Sequence, residues 1–324
     1  MQHKTRTAVI AYDNKATKWP VADSGGPKME AYALALSGGG TRGAAHVGVL
    51  TALEEAGLLP SQAAGTSAGS IVAGLYSAGM EIGAMRETVQ WLSRHKRALL
   101  DPDVKGILAF LPQLFAGREV ALKGLLKGNR LSHFLWELTG GMELTDLPKG
   151  LLIPAVDLNS GDTVVFTNLF QNEIPFSALQ QEHVKWERTG LLSDIMTASS
   201  SVPAVFCPRQ MKSFRLVDGG VTNNLPVDIL IAAGVSRVLA VDTGAAYERP
   251  PCFSIMEIAS HSFSIMSREL KDCRSSGELL LLKPRLSGRA GLLTFEQMEQ
   301  CMEDGYTYTK QMLPRIRKAL KITE

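Results

Sequence analysis

The sequence predicts an α/β fold, an open and largely parallel sheet covered by helices on both faces in a three-layer α/β/α arrangement. Three observations lead there. Short, nearly continuous apolar runs such as "AYALALS" have the length and composition of strands buried on both faces. These runs alternate with segments whose apolar residues recur at helical spacing. The junctions between them are rich in glycine.

The first run ends at Gly38-Gly39-Gly40, and after Gly43 the period changes, because Val47, Leu50 and Leu53 share one helical face until Gly57 stops the helix. A short strand follows near Ala63-Ala64, then a sharp turn at "GTSAG" and a helix over "SIVAGLYSAGM". A third helix is expected from about Glu81 to Arg97. Further strands are expected at "LLIPAVDL", "DTVVFTN", "FRLVDGG", "SRVLAVDTG" and "ELLLLKP", with helices near residues 191 to 200, 225 to 233, 252 to 273 and 294 to 319. The expected organisation is a leader or first strand over residues 1–30, a core over 31–245, and a helix-and-strand extension over 246–324 packing on the same domain.

Residues 104 to 128 stand apart, since apolar residues mix there with Lys105, Arg118, Lys123 and Lys127 against only Glu119. That is the pattern of a lid or a peripheral membrane-contact segment; an irregular helical insertion on the core fits it equally.

With 45% hydrophobic and 20% charged residues, the 324-residue chain can bury a substantial core. Its 34 basic and 32 acidic residues are spread along the sequence and leave a net charge of +2. No concentrated positive field exists for a nucleic-acid backbone, which excludes nucleic acid as a partner. Cys207, Cys252, Cys273 and Cys301 form no CxxC pair and no metal-ligand spacing, so free thiols in a reducing, cytoplasmic compartment are expected, with no metal. The apolar patch of "MQHKTRTAVIAYDNK" is too short for a signal peptide and is cut off by Asp13. From Ala56 to Met80 there is no charge, but "SQAAGTSAGS" is small and polar rather than lipid-like. Nothing in the sequence sets an oligomeric state.

Gly38-Gly39-Gly40-Thr41-Arg42-Gly43 matches GxGxxG between a strand and a helix, the context of a dinucleotide fingerprint. Such a fold needs an acidic residue about 20 residues further on to hold the ribose. The region there, "LLPSQAAGTSAG", has no carboxylate and offers Ser67 instead. Gly65-Thr66-Ser67-Ala68-Gly69 fits G-x-S-x-G, in which flanking glycines let a strained strand-to-helix turn expose a serine Oγ. Both turns belong to one βαβ unit and come to the same edge of a parallel sheet. Glycine-rich N–H groups backed by a helix N-terminus then face whatever reacts at Ser67, as an oxyanion hole would.

A serine nucleophile needs a base. In the Ser…Asp…His order of α/β-hydrolases only His261 follows a late aspartate, and it falls in a helical stretch. His46 is nearer the glycine loop, where packing or capping is the commoner role. Asp157, Asp218 and Asp242 each close an apolar strand at the sheet edge where α/β sites form. Gly219-Gly220 after Asp218 permit a tight turn and close backbone approach. Turn and capping roles stay open for Asp157 and Asp242.

"LALSGGGTRGAAHVGVL", "AGTSAGSIVAGLYSAG", "ASSSVPAVF" and "LVDGGVTNNLPVDI" resemble the successive signature blocks of the patatin-like phospholipase family, especially bacterial members related to the neuropathy target esterase domain. The resemblance runs in order from about residue 31 to about residue 245. Arg42 agrees with the usual residue of the glycine motif, and Thr41 replaces a commoner alanine. The resemblance implies a patatin-like fold and a Ser–Asp dyad without histidine, Ser67 as nucleophile and Asp218 as base, with the N–H groups of Gly38, Gly39, Gly40, Thr41 and Arg42 as the oxyanion hole. Gly43, Gly65, Gly69, Gly219 and Gly220 support these motifs. It implies a lipid or fatty-acyl ester substrate, an acyl-enzyme and no cofactor. The alternative is a catalytically silent regulator of the same fold that binds lipid or a protein partner.

Overall fold

The computed structural model describes residues 30–96, 98–117, 122–170, 174–244, 255–274, 277–286 and 291–322. The expected leader, and Arg97, Arg118, Glu119 and Cys252, lie outside these, Glu30 excepted. Ala31–Glu324 form one compact unit.

Among the described residues, β1 (Ala33–Leu36), β2 (Gln62–Gly65), β3 (Gly150–Asp157), β4 (Thr163–Thr167), β5 (Val184–Glu187), β6 (Arg209–Met211), β7 (Phe214–Asp218), β8 (Val238–Val241) and β9 (Leu280–Leu282) form a single sheet. Its order is β5-β4-β3-β2-β1-β8-β9, with β7 also beside β3 and β6 beside β7. The strands from β3 through β2, β1 and β8 to β9 are parallel, as are β4 and β5. β3 meets β4 and β7 antiparallel, and so do β6 and β7. The sheet is therefore mixed but mostly parallel. Two of the antiparallel pairs, β3–β4 and β6–β7, join strands with short connections: only a tight turn separates Asp157 from Thr163, too little chain for a crossover.

The helices are α1 (Ala44–Glu55), α2 (Ala68–Ser77), α3 (Ile82–Arg94), α4 (Val104–Phe115), α5 (Asn129–Thr139), α6 (Phe176–Leu179), α7 (Leu192–Ser199), α8 (Val227–Ala232), α9 (Ile255–Arg274) and α10 (Met298–Ala319). Strand residues alternate in direction, so Ala33, Ala35, Ala64, Leu152, Val165, Val238 and Ala240 present one face to Val227, Ile229 and Leu230 of α8. α2 and α7 pack on the strands, and α1 runs against α10. Because α10 covers it, α1 is buried from Ala44 to Leu53 rather than along the single face that Val47, Leu50 and Leu53 suggest. A Cβ on Gly48 would stand 1.9 Å from the Met302 carbonyl oxygen, so this glycine lets the two helix backbones touch.

α4 leaves Val104, Leu108 and Phe115 exposed at 55%, 72% and 86%. At spacings of four and seven residues they form one apolar stripe. No helix among the described residues is long and apolar enough to cross a membrane.

Candidate active site

β1 and β2 run parallel with Leu36 opposite Gly65, so the glycine loop after β1 and the Gly65–Gly69 turn after β2 sit side by side. The turn is closed tightly. A Cβ on Gly65 would stand 2.1 Å from the Gly69 carbonyl oxygen, and one on Gly69 would stand 2.4 Å from that of Leu36. Between them Ser67 takes φ 54° and ψ −126°, a region that costs a non-glycine residue about 1–3 kcal/mol and persists only where neighbours impose it. Those neighbours are visible. The Ser67 N–H donates to Ser199 Oγ at 3.1 Å, Ser199 Oγ donates to the Pro154 carbonyl at 2.7 Å, and the Ser67 carbonyl accepts from the Ser70 N–H at 2.8 Å.

Asp218 reaches the same place from another direction. One edge of β3 is shared: its first residues pair with β2, Ala64 opposite Leu152, and its last pair with β7, Asp218 opposite Ala155. Since β7 is antiparallel to β3, the C-terminal ends of β2 and β7 converge. Asp218 is 1% exposed; its Oδ1 accepts the Gly220 N–H at 2.7 Å, while Oδ2 is buried with no hydrogen-bond partner among the described residues. Burial pushes its pKa up to about 7, against the opposing pull of the Ser67 hydroxyl and the Gly220 N–H. The Ser67 hydroxyl thus stands close enough to favour the charged carboxylate, although no hydrogen bond joins it to Oδ2.

The glycine loop completes the enclosure. A Cβ on Gly38 would lie 3.1 Å from Ser67 Cβ. Of the five N–H groups expected to form an oxyanion hole, three are engaged: Gly38 donates to the Asn224 carbonyl at 3.0 Å, Thr41 to that of Gly291 at 3.2 Å and Arg42 to that of Gly39 at 3.3 Å. Those of Gly39 and Gly40 donate to no acceptor among the described residues. The Thr41 hydroxyl also donates to the Gly291 carbonyl at 2.7 Å, tying the loop to the extension. Gly43 abuts Ala68 at the start of α2.

Ser67, Gly40 and Thr41 border a cavity of about 150 Å³ whose walls are mostly apolar, among them Ile71, Val72 and Leu75 of α2, Leu92 of α3, Leu135 of α5 and Phe206. α2 spaces its three side chains from about 6 to about 12 Å along its axis beyond the serine.

The remaining candidates have structural partners. His46 is fully buried and lies 2.8 Å from the Ser37 carbonyl through Nε2, and desolvation lowers its pKa to about 4. Neutral at physiological pH, it props up the residue before the glycine loop. His261 lies on α9. Asp157 binds its own turn, accepting from the N–H groups of Asn159 and Arg215 and from the Ser160 hydroxyl. Asp242 accepts from the Gly244 N–H and pairs with buried Lys271 at 2.5 Å. Sequence reasoning missed Ser199, one of three consecutive serines in "ASSS" with nothing local to mark which turns inward. It also missed Asn224, whose Oδ1 would lie 2.4 Å from a Cβ on Gly38. Its place shortly after the Asp-Gly-Gly turn is the signal that was available.

A mostly parallel sheet with a serine on a strained strand-to-helix turn, beside a glycine loop, defines an α/β protein of the nucleophile-elbow class. The chain belongs to the patatin-like phospholipase family, whose sequence profile matches residues 34–231. An NTE family protein of Mycobacterium tuberculosis is 28% identical over 64% of this chain and 30% of its own length. The lysophospholipase NTE1 of Mycosarcoma maydis is 30% identical over 67% of this chain and 10% of its own length. The chain therefore spans less than a third of either relative. Among solved structures, human GIVD cytosolic phospholipase A2 with a fluorophosphonate inhibitor aligns at a TM-score of 0.47 and 13% identity, over 91% of this chain and 60% of that one.

Proposed function

We propose that the chain is a serine lipid acyl hydrolase that works through an acyl-enzyme. The observation that carries this reading is the buried Oδ2 of Asp218, without a hydrogen-bond partner among the described residues, beside Ser67, which borders an apolar cavity. Family membership and the lysophospholipase among the relatives support a fatty-acyl ester as substrate.

In the reaction, Ser67 Oγ attacks the ester carbonyl carbon while Asp218 accepts its proton, and the N–H groups of Gly39 and Gly40 receive the charge developing on the carbonyl oxygen. Asp218 returns the proton to the departing alcohol. It then takes a proton from water, which attacks the acyl carbonyl and frees Ser67. A carboxylate ordinarily too weak a base for this task is brought near neutrality by its burial. The acyl chain lies along Ile71, Val72 and Leu75, and the exposed stripe of α4 within residues 104 to 128 brings the protein to a lipid surface.

The test is fatty-acid release from lysophospholipids, phospholipids and p-nitrophenyl esters by wild type, Ser67→Ala, Asp218→Asn and His261→Ala. Loss in the first two variants and retention in the third is expected. Full activity in Ser67→Ala on every ester defeats the assignment.

A further inference from the structure

Two glycines near the candidate dyad open onto one side chain. The point where a Cβ would stand on Gly38 lies 2.4 Å from Asn224 Oδ1 and 3.1 Å from Ser67 Cβ. The corresponding point on Gly220 lies 3.0 Å from Asn224 Oδ1 and 3.0 Å from Asp218 Oδ1. The Asn224 carboxamide is thus separated from both the serine and the carboxylate by no more than the space a methyl group would fill, and glycine at 38 and 220 keeps that space open.

The rest of the segment is held by its backbone. The Asn224 carbonyl accepts the Gly38 N–H at 3.0 Å, and the Asn223 carbonyl accepts the Thr66 hydroxyl at 2.8 Å. The Asn223 side chain donates to Asp228 at 2.7 Å. The Asn224 side chain, by contrast, is half-buried and makes no hydrogen bond with any described residue. A carboxamide both donates and accepts, so one placed near both a nucleophile and its base suits a small ligand that does the same. Water is that ligand in a hydrolase.

We propose that the Asn224 carboxamide hydrogen-bonds the water that deacylates Ser67, a role that rests on Ser67 being the nucleophile. The water gives one proton to Asp218 and its oxygen bonds to the acyl carbon. The bond from that carbon to Ser67 Oγ then breaks, and Oγ takes the proton back from Asp218. Asn224 orients the attacking oxygen and exchanges no proton itself. Acylation uses no such water, so the side chain separates the two half-reactions.

The experiment compares wild type, Asn224→Ala, Asn224→Ser and Ser67→Ala with a p-nitrophenyl ester. Single-turnover release of p-nitrophenol under excess enzyme reads acylation, steady-state release reads turnover, and intact mass reads the acyl adduct. In both Asn224 variants turnover should fall about tenfold or more while acylation changes by less than about threefold, and the adduct should accumulate. Thermal unfolding should be unchanged, because neither substitution removes a hydrogen bond among the described residues. Acylation and turnover falling together, or neither changing, overturns the role of Asn224 and leaves Ser67 untouched. Acylation persisting in Ser67→Ala instead overturns the nucleophile, and the role of Asn224 with it.

Discussion

The backbone N–H of Ser67 donates to the hydroxyl of Ser199, 3.1 Å away, and that hydroxyl donates onward to the Pro154 carbonyl at 2.7 Å. One buried side chain therefore joins the strained serine to the strand that β7 pairs with, and so to the strand carrying Asp218. Ser199→Ala strands a buried donor and a buried acceptor together. A loss of about 1–3 kcal/mol in unfolding free energy is expected. Turnover should fall more than KM changes, because the elbow loosens while the cavity walls stay in place. Denaturant unfolding and ester kinetics on the same variant check both; unchanged stability would mean the relay carries no load.

The two turns of the candidate site that are built from contiguous sequence were legible in advance. Gly38 to Gly43 and Gly65 to Gly69 each lie on one turn between a strand and a helix, so spacing alone placed them. Asp218 was not readable that way. Its meeting with Ser67 depends on β7 joining β3 antiparallel beyond the end of β2, a pairing between residues far apart in the chain; the Gly219-Gly220 turn favoured it only modestly, and the family resemblance decided it. β5 and β6, "VKWE" and "RQM", escaped because neither contains an apolar run. Ser199 and Asn224 escaped because their roles lie in which atoms they face, which no local pattern records.

Gly39 adopts an extended φ of 174° that any residue tolerates, so replacing it acts through space alone. A Cβ there would stand 2.7 Å from the Thr243 hydroxyl oxygen. Gly39→Ala should displace the loop and misplace its N–H. A loss in kcat of roughly 100- to 1000-fold is expected, the scale of losing one oxyanion donor. Circular dichroism should still report a folded protein. Gly39→Val should be worse, and normal activity in either variant would remove the loop from the mechanism.

Leu108 and Phe115 project from α4 into solvent, with Lys105 and Lys123 exposed nearby. An apolar stripe beside basic residues fits an anionic bilayer surface. Leu108→Glu combined with Phe115→Glu should reduce co-sedimentation with phosphatidylglycerol-containing vesicles by about tenfold or more. Hydrolysis of a short, soluble p-nitrophenyl ester should stay within about twofold of wild type, since neither side chain borders the cavity. Undiminished vesicle binding would assign the stripe elsewhere.

Asp218 and His46 pull the pH dependence of stability in opposite directions. The folded protein holds the Asp218 proton up to about pH 7 while an unfolded chain releases it near 3.8, so this group's contribution is complete in acid and is lost as pH rises through that interval. His46 stays neutral down to about pH 4 in the fold but charges near 6.5 in the unfolded chain, so its contribution is complete above 6.5 and is lost as pH falls. Between about pH 4 and 6.5 the two slopes offset one another. Asp218→Asn should unmask the histidine, making the melting temperature climb with pH across that window, and should leave the variant more stable than wild type at pH 8. His46→Gln, which retains a donor for the Ser37 carbonyl, should do the reverse and make stability fall as pH rises toward 7. Activity adds a separate reading, because a base must be deprotonated: wild-type turnover should rise through a single step near pH 7 and level off above it. Thermal melts of the three proteins from pH 4 to 8, beside the wild-type rate profile, test the assignment. A rate step near pH 4 with no gain in Asp218→Asn stability at pH 8 would show the carboxylate to be solvated and ordinary.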